Sequence, residues 1–265
     1  MNIYLTGDVH GCVEERFRYD WPWYLEPLRP DDVVIILGDF GLLWYPHEGD
    51  WEEKHSLGIL SSFGSTFLFI DGNHENHDRL KALETVQIFS APAGKVSERV
   101  FHLRRGEIYE IEGRTFFCMG GAASIDRRRR HEGTSWWPQE NVSKDEFQHG
   151  LDTLKNRGNV VDYVLTHTPP RHIGLEMFPR ERGDPHFADP TADKLDTVYR
   201  RCAFKRWFFG HMHFNCVIES DPRFVALFDR VIRLGDPRND DDKILPKRGK
   251  ICPTRAQRRG FMDRW

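Results

Sequence analysis

Short apolar runs, several ending at a glycine followed by polar residues, set the rhythm of this chain. Residues 2–6 (NIYLT), 33–37 (VVIIL) and 66–70 (TFLFI) are apolar at almost every position. That near-continuous character, without polar alternates, is the pattern of strands covered on both faces. Between them, 24–28 (after a turn at Pro22), 50–63 and 76–85 read as helices. The strand–helix–strand alternation predicts a layered α/β domain. Farther on, 99–103, 107–111 and 115–119 are strand-like, with EGR at 112–114 as a turn, which predicts an antiparallel meander. Ser143 with Glu146 three residues later is a capping box, opening a helix over 143–156. Residues 160–165 (VVDYVL) and 204–209 (FKRWFF) are further buried-type strands with a helix at 191–201 between them, and strands near 215–219, 224–228 and 230–234 close the pattern. The proline-rich stretch 168–190 is too long for a simple connector and reads as a functional loop or lid.

Composition narrows the class without naming a chemistry. Among 265 residues, 39% are hydrophobic and the formal net charge is -3, so a real core is expected and no global field points to nucleic acid or a membrane surface. Five scattered cysteines form no CxxC pair, which favours free thiols over a disulfide framework or a zinc knuckle. The opening residues lack a signal-peptide pattern and no apolar run approaches ~18 residues, so a cytoplasmic protein with no membrane partner is expected. Residues 1–235 are expected to form one domain. Residues 236–265 carry nine Lys/Arg against five Asp/Glu and read as a basic tail, capable at most of weak contact with nucleic acid or an anionic partner.

The positions of His, Asp and Asn carry the chemistry. Asp8 and His10 stand in GDVHG directly after the first strand, Asp39 in GDFG after the second, and Asn73 with His74 in GNHE after the third. His167 follows the VVDYVL strand; His211 and His213, in GHMH, follow FKRWFF. Every group falls at the C-terminal end of a predicted strand, where open α/β sheets place ligands. Carboxylate and amide oxygens mixed with imidazoles suit borderline divalent ions such as manganese, iron or zinc. In Asp-x-His and His-x-His the outer residues can face one centre while the middle one turns away.

In this order, GDVHG, GD, GNHE, TH and GHMH resemble the five-motif set of calcineurin-like metallophosphoesterases, over residues 8–213. The resemblance implies a four-layer α/β/β/α double β-sandwich with two divalent ions above the sheet edges, manganese first, iron or zinc otherwise. Carried over by position, Asp8, His10 and His213 would hold one ion, Asn73, His167 and His211 the other, and Asp39 would bridge them. A hydroxide shared between the ions would be the nucleophile and His74 the general acid. The implied activity is hydrolysis of a phosphomonoester or phosphodiester; a nucleotide, a phosphoprotein and a nucleic-acid end all stay open as substrates.

The chain departs from the phosphoprotein-phosphatase branch after its second motif. That branch continues as GDxxDRG, whose Asp orients the catalytic His and whose Arg grips phosphate; here Leu42 and Leu43 stand there. Arg127 and Arg128, in the arginine run at 127–130, could supply a phosphate clamp, against the plainer reading of an exposed basic loop. Trp136, in WWP, could stack on an aromatic leaving group, against a packing anchor; His77 could approach substrate, against a solvated first helical turn. HENHD is not HExxH, and no Walker or GxGxxG segment occurs, so metalloprotease and nucleotide-driven readings fall away. Two other classes remain beside the hydrolase. A nuclease would bind nucleic acid in a salt-sensitive way. A non-catalytic scaffold should have lost ligands or His74, and none is lost.

Overall fold

Alternate residues of the central strands face different layers, and that alternation builds the molecule. The computed structural model describes residues 1–46, 49–178, 189–240, 245 and 247–248. One seven-stranded sheet contains β1 (Ile3–Thr6), β2 (Val33–Leu37), β3 (Thr66–Ile70), β4 (Glu84–Ile88), β5 (Ala91–Ser97), β6 (Val100–Leu103) and β13 (Val231–Arg233), in the order β13-β1-β2-β3-β6-β5-β4. The other contains β7 (Ile108–Ile111), β8 (Arg114–Met119), β9 (Tyr163–Thr166), β10 (Arg206–Phe209), β11 (Cys216–Ile218), β12 (Phe224–Ala226) and β14 (Lys247–Arg248), in the order β14-β11-β12-β10-β9-β8-β7.

Ile3, Leu5, Ile35, Leu37, Leu68 and Ile70 of the first sheet meet Tyr109, Phe116, Cys118, Leu165 and Phe208 of the second in one cluster between the sheets. The intervening residues Tyr4, Val34, Ile36, Phe67 and Phe69 face outward onto Ile59 and Leu60 of α1 (Trp51–Phe63) and Leu80 of α2 (His77–Ala82). On the far side, Phe117, Val164, Trp207 and Phe209 pack against Leu154 of α3 (Lys144–Asn156), Ile173 of α4 (Arg171–Met177), and Leu195 and Val198 of α5 (Pro190–Arg201). The result is helix, sheet, sheet, helix: the expected double sandwich. Each fully buried aliphatic or aromatic side chain contributes about 1.5–3 kcal/mol to it.

The capping box at α3 is present. Ser143 Oγ accepts from Glu146 N at 3.1 Å and Glu146 Oε2 accepts from Ser143 N at 2.7 Å. Other local expectations are corrected. Residues 24–28 form no helix, because Pro27 removes an amide that a short helix would need; the helical turn falls earlier, as a π-turn at Glu15–Tyr19. There is also no three-strand meander over 99–119. β6 pairs in parallel with β3 and antiparallel with β5, whereas β7 turns into the other sheet and pairs with β8. The strands β4 and β5 were not expected from the sequence; they form the exposed edge beyond β6.

Beyond residue 235 the chain still touches the sandwich: Leu245 is buried in the cluster between the sheets and β14 pairs with β11. The basic stretch at 249–265 and most of the predicted lid, residues 179–188, lie outside the described residues. Cys118, Cys202 and Cys216 are buried and Cys12 is exposed. Among the described residues no helix is long and apolar enough to cross a membrane.

Candidate metal centre

Parallel pairing of β1, β2 and β3 in one sheet, and of β9 and β10 in the other, brings their C-terminal ends to a common edge. The loops that leave those ends are tightly tied. Val9 N and His10 N both donate to Asp39 O, at 3.0 and 2.8 Å, and Arg16 of the π-turn reaches back to donate to Asp8 O at 2.8 Å. His10, Asp39, His211 and His213 all take positive φ, between 47° and 61°, a left-handed region that non-glycine residues rarely adopt. Strain of this kind persists only where the surroundings over-determine the backbone, and it gathers here at the polar centre. Gly72 is required by the same crowding: a Cβ on it would collide with Asp39 and His167.

Two groups of potential ligands result. Asp8, His10 and His213 present ligand atoms within 4.8 Å of one another, and so do Asp39, His167 and His211. Asp39 faces both groups: its Oδ2 lies 3.8 Å from His10 Nε2 and its Oδ1 lies 3.3 Å from His167 Nε2. Asn73 joins the second group through Oδ1, which is 3.2 Å from His167 Nε2.

The donor set fits cations rather than a self-contained polar core. His167 Nδ1 must donate to Leu37 O at 2.7 Å, since a carbonyl only accepts. In the uncharged ring its Nε2 lone pair then faces the acceptor oxygens of Asn73 and Asp39, an arrangement that needs a positive charge among the three atoms. In the bare protein that charge is a proton: burial opposes it, but the Asp39 carboxylate outweighs burial and lifts His167 to about 10. Burial and the neighbouring His167 push His211 down to about 3. Asp8 Oδ2 lies 2.8 Å from His213 Nε2, so the two residues bring their donor atoms to one place. Among the described residues no Lys or Arg forms an ion pair with Asp8 or Asp39.

His74 borders this centre. Its backbone N donates to Asp39 Oδ1 at 2.7 Å, and its ring stands edge-on to His10 with centroids 5.1 Å apart. Burial, the larger effect, and the Arg130 charge push its pKa down to about 4. The guanidinium of Arg130 lies alongside the ring, and Trp44 stacks near it at 6.1 Å.

The substrate-side candidates are placed less simply. Arg127 and Arg128 are exposed on a 3-10 turn, Arg127–Arg129, and do not reach the centre; Arg130 does. Trp136 is half-buried, while its neighbour Trp137 is the buried anchor, donating to Asp78 Oδ2 at 2.9 Å and meeting Trp44 edge-on. His77 is neither solvated nor at the centre. It is buried beside the Asp71, Arg105 and His102 cluster, and burial holds it down to about 4.

Several contributors escaped the sequence reading. Asn73 Nδ2 donates to Ser124 Oγ at 3.2 Å, and Ser124 Oγ in turn donates to the buried Glu140 at 2.6 Å, which turns the Asn73 oxygen toward His167. Glu75 accepts from Phe40 N at 2.7 Å, so it braces the Asp39 loop, and burial and Asp39 push its pKa well up. The last position of GNHE was the only available signal for Glu75. For Ser124, Glu140 and Trp44 there was none.

A family model described as calcineurin-like phosphoesterase matches residues 1–215. The UPF0046 protein T07D4.2 of Caenorhabditis elegans is 25% identical over 225 residues, which cover 76% of this chain and 51% of that protein. The chain thus spans about half the length of the curated relative it matches. Among solved structures, the phosphopantetheinyl hydrolase PptH of Mycobacterium tuberculosis gives a TM-score of 0.44 at 15% identity, covering 89% of this chain and 97% of that one.

Proposed function

The chain belongs to the calcineurin-like phosphoesterase family, and from that premise we propose that it hydrolyses a phosphoester with two divalent ions held at the strand ends. Asp8, His10 and His213 would hold one ion and Asn73, His167 and His211 the other, with Asp39 shared. The observation that carries this reading is the placing of the two Asp39 oxygens, one toward each group of histidines. Manganese is the first candidate, with iron and zinc compatible with the same donors. Two such ions supply Lewis acidity to phosphoryl oxygens and a nucleophile from water near neutral pH.

The protein's own part is positional. His167 is locked by Leu37 O so that Nε2 faces the centre, and the Ser124–Glu140 pair fixes the Asn73 amide. Outer partners of this kind orient ligands, and their loss typically costs 10–100-fold in affinity or activity. His74 stands beside the centre to protonate the departing oxygen. It is uncharged in the bare protein, so a phosphate anion next to it has to supply the field that favours its charged form.

The test is hydrolysis of p-nitrophenyl phosphate and bis-p-nitrophenyl phosphate by metal-stripped protein with manganese restored, beside Asp39→Asn and His74→Asn. Turnover that needs manganese and vanishes in Asp39→Asn is expected. His74→Asn should lose more on an alkyl phosphate than on a p-nitrophenyl ester, whose leaving group needs little protonation. Failure of the protein to bind any divalent ion would overturn the reading.

A further inference from the structure

The run at 127–130 divides at its last member. Arg127, Arg128 and Arg129 are exposed, whereas the Arg130 side chain is only 11% exposed and points at His74. Its backbone follows the 3-10 turn, and two anchors fix its head: Nε donates to Asp126 Oδ1 at 2.8 Å and Nη1 to Ser135 O at 3.2 Å.

The donor count around it does not balance. A guanidinium has five N–H donors and no acceptor. Besides the two anchors, Nη1 lies 3.3 Å from His74 Nδ1 and Nη2 lies 3.1 Å from His74 Nε2. An uncharged imidazole offers one lone pair, so one contact at most is a hydrogen bond. The other sets a donor against a donor. A half-buried, well-anchored arginine with N–H groups left over, at the rim of a centre whose donors suit cations, is arranged for an anion that enters between it and that centre.

We propose that Arg130 binds the third non-bridging oxygen of a phosphomonoester, and that this contact makes the site prefer monoesters to diesters. The inference rests on the two-ion reading above and names its substrate class. A monoester dianion has three non-bridging oxygens; ions held by the two ligand groups would engage two of them and leave one for the guanidinium fork. A diester has only two, and its second organic group would occupy the place in front of Arg130 without offering an anionic acceptor. Arginine suits the role through its flat fork and permanent charge. The clamp therefore comes from the loop after β8, not from the segment after Asp39, where Leu42 and Leu43 turn into the core.

The experiment compares wild type, Arg130→Met and Arg130→Lys, all as the full chain loaded with manganese. Steady-state kinetics are taken on p-nitrophenyl phosphate and bis-p-nitrophenyl phosphate, and binding of inorganic phosphate is measured by calorimetry. A hydrogen bond to a charged group of this kind corresponds to about 10–100-fold. The expected result is that kcat/KM of Arg130→Met on the monoester and its phosphate affinity each fall by that much. Its diester turnover should fall by a clearly smaller factor than its monoester turnover, since the loss of the Arg130 charge beside His74 acts on both esters alike, and Arg130→Lys should recover part of both losses. Equal loss on the two esters, or phosphate binding unchanged in Arg130→Met, overturns the proposal. Equal losses accompanied by a lowered melting temperature in Arg130→Met but normal melting in Arg130→Lys are judged on the Lys variant alone, by the same ratio of esters. Wild-type protein that binds manganese yet cleaves neither ester would remove the two-ion reading itself, and this inference with it.

Discussion

Two buried clusters of Asp and His lie within a few residues of each other along the chain, and their charge balance separates them. In the first, Asp71, immediately after β3, is held by Arg105 through Nε at 2.9 Å and Nη2 at 2.5 Å, and by His102 at 3.1 Å. Arg105 also gathers the carbonyls of Gln139, Glu140 and Asn141 and the carboxylate of Glu146. This cluster carries its own cation and uses it to fasten the loop after β8 to the sheet. In the second, Asp8 and Asp39 face histidines and backbone amides, with no arginine or lysine paired to either among the described residues. One cluster is complete as folded; the other has a deficit of positive charge that ions from outside would fill. Residue type alone does not distinguish a metal centre from a structural network, but the provenance of the countercharge does.

Substitutions should break this contrast in opposite ways. Asp39→Asn keeps an oxygen for the His74 amide but removes the shared charge, so turnover is expected to fall on the order of 10³-fold, while melting of the metal-free protein holds or rises. Next in size, Arg105→Met leaves the buried Asp71 without its guanidinium and with only His102 against it, and loss of one partner of a buried pair typically costs about 3–5 kcal/mol. For a chain of this length that corresponds to a fall of about 10 °C in melting temperature, with the seven ligand positions untouched. Unaltered melting in Arg105→Met, or a large stability loss in Asp39→Asn, would erase the distinction.

Acidity sharpens the same contrast more gently. Burial holds His77 near 4, so it stays uncharged in the fold above that value, and burial lowers His102 in the same direction, while the unfolded chain binds protons near 6.5. Between those values the unfolded state binds more protons, so stability is full above about pH 6.5 and is lost as pH falls toward 4. Asp71 is depressed, so its stabilisation is present throughout that window and is lost only at lower pH. Denaturant titrations of metal-free protein at pH 7 and pH 4 should differ by on the order of 1–3 kcal/mol, and His77→Gln should flatten the slope. The smallest effect is expected at Ser143→Ala, about 1 kcal/mol for a lost helix cap, with no change in turnover. Because Glu146 serves both the cap and Arg105, Glu146→Ala should exceed Ser143→Ala in the same melting assay.

The central strands were legible because VVIIL, FLFI and WFF are buried at every position and leave no competing periodicity. The seven positions of the candidate centre follow from that, since each lies within four residues of a strand end. The edge was not legible. β4 (ETVQI) is mostly exposed and β5 (APAGKVS) contains Pro92 and Gly94, so pairing with β6, not composition, makes them strands. β6 and β7 look like meander partners in one dimension because a change of sheet leaves no local mark. His77 misled for a related reason. Its place on the first turn of α2 suggested solvent, but α2 lies over a polar pocket whose other walls, His102 on β6 and Arg105 in the turn after it, come from a later part of the chain. Arg130 was readable only as one of four until the backbone turned it inward.

Four of the candidate ligand positions, 10, 39, 211 and 213, sit where glycine would be the relaxed residue. Drift at them is therefore downhill for the bare fold: each exchange to glycine would relieve about 1–2 kcal/mol of left-handed strain and thin out a crowded polar edge. A lineage released from the need for metal would shed its ligands without ever losing its sheets, and would end as an inert double sandwich. The backbone at these four positions favours none of the four side chains it carries.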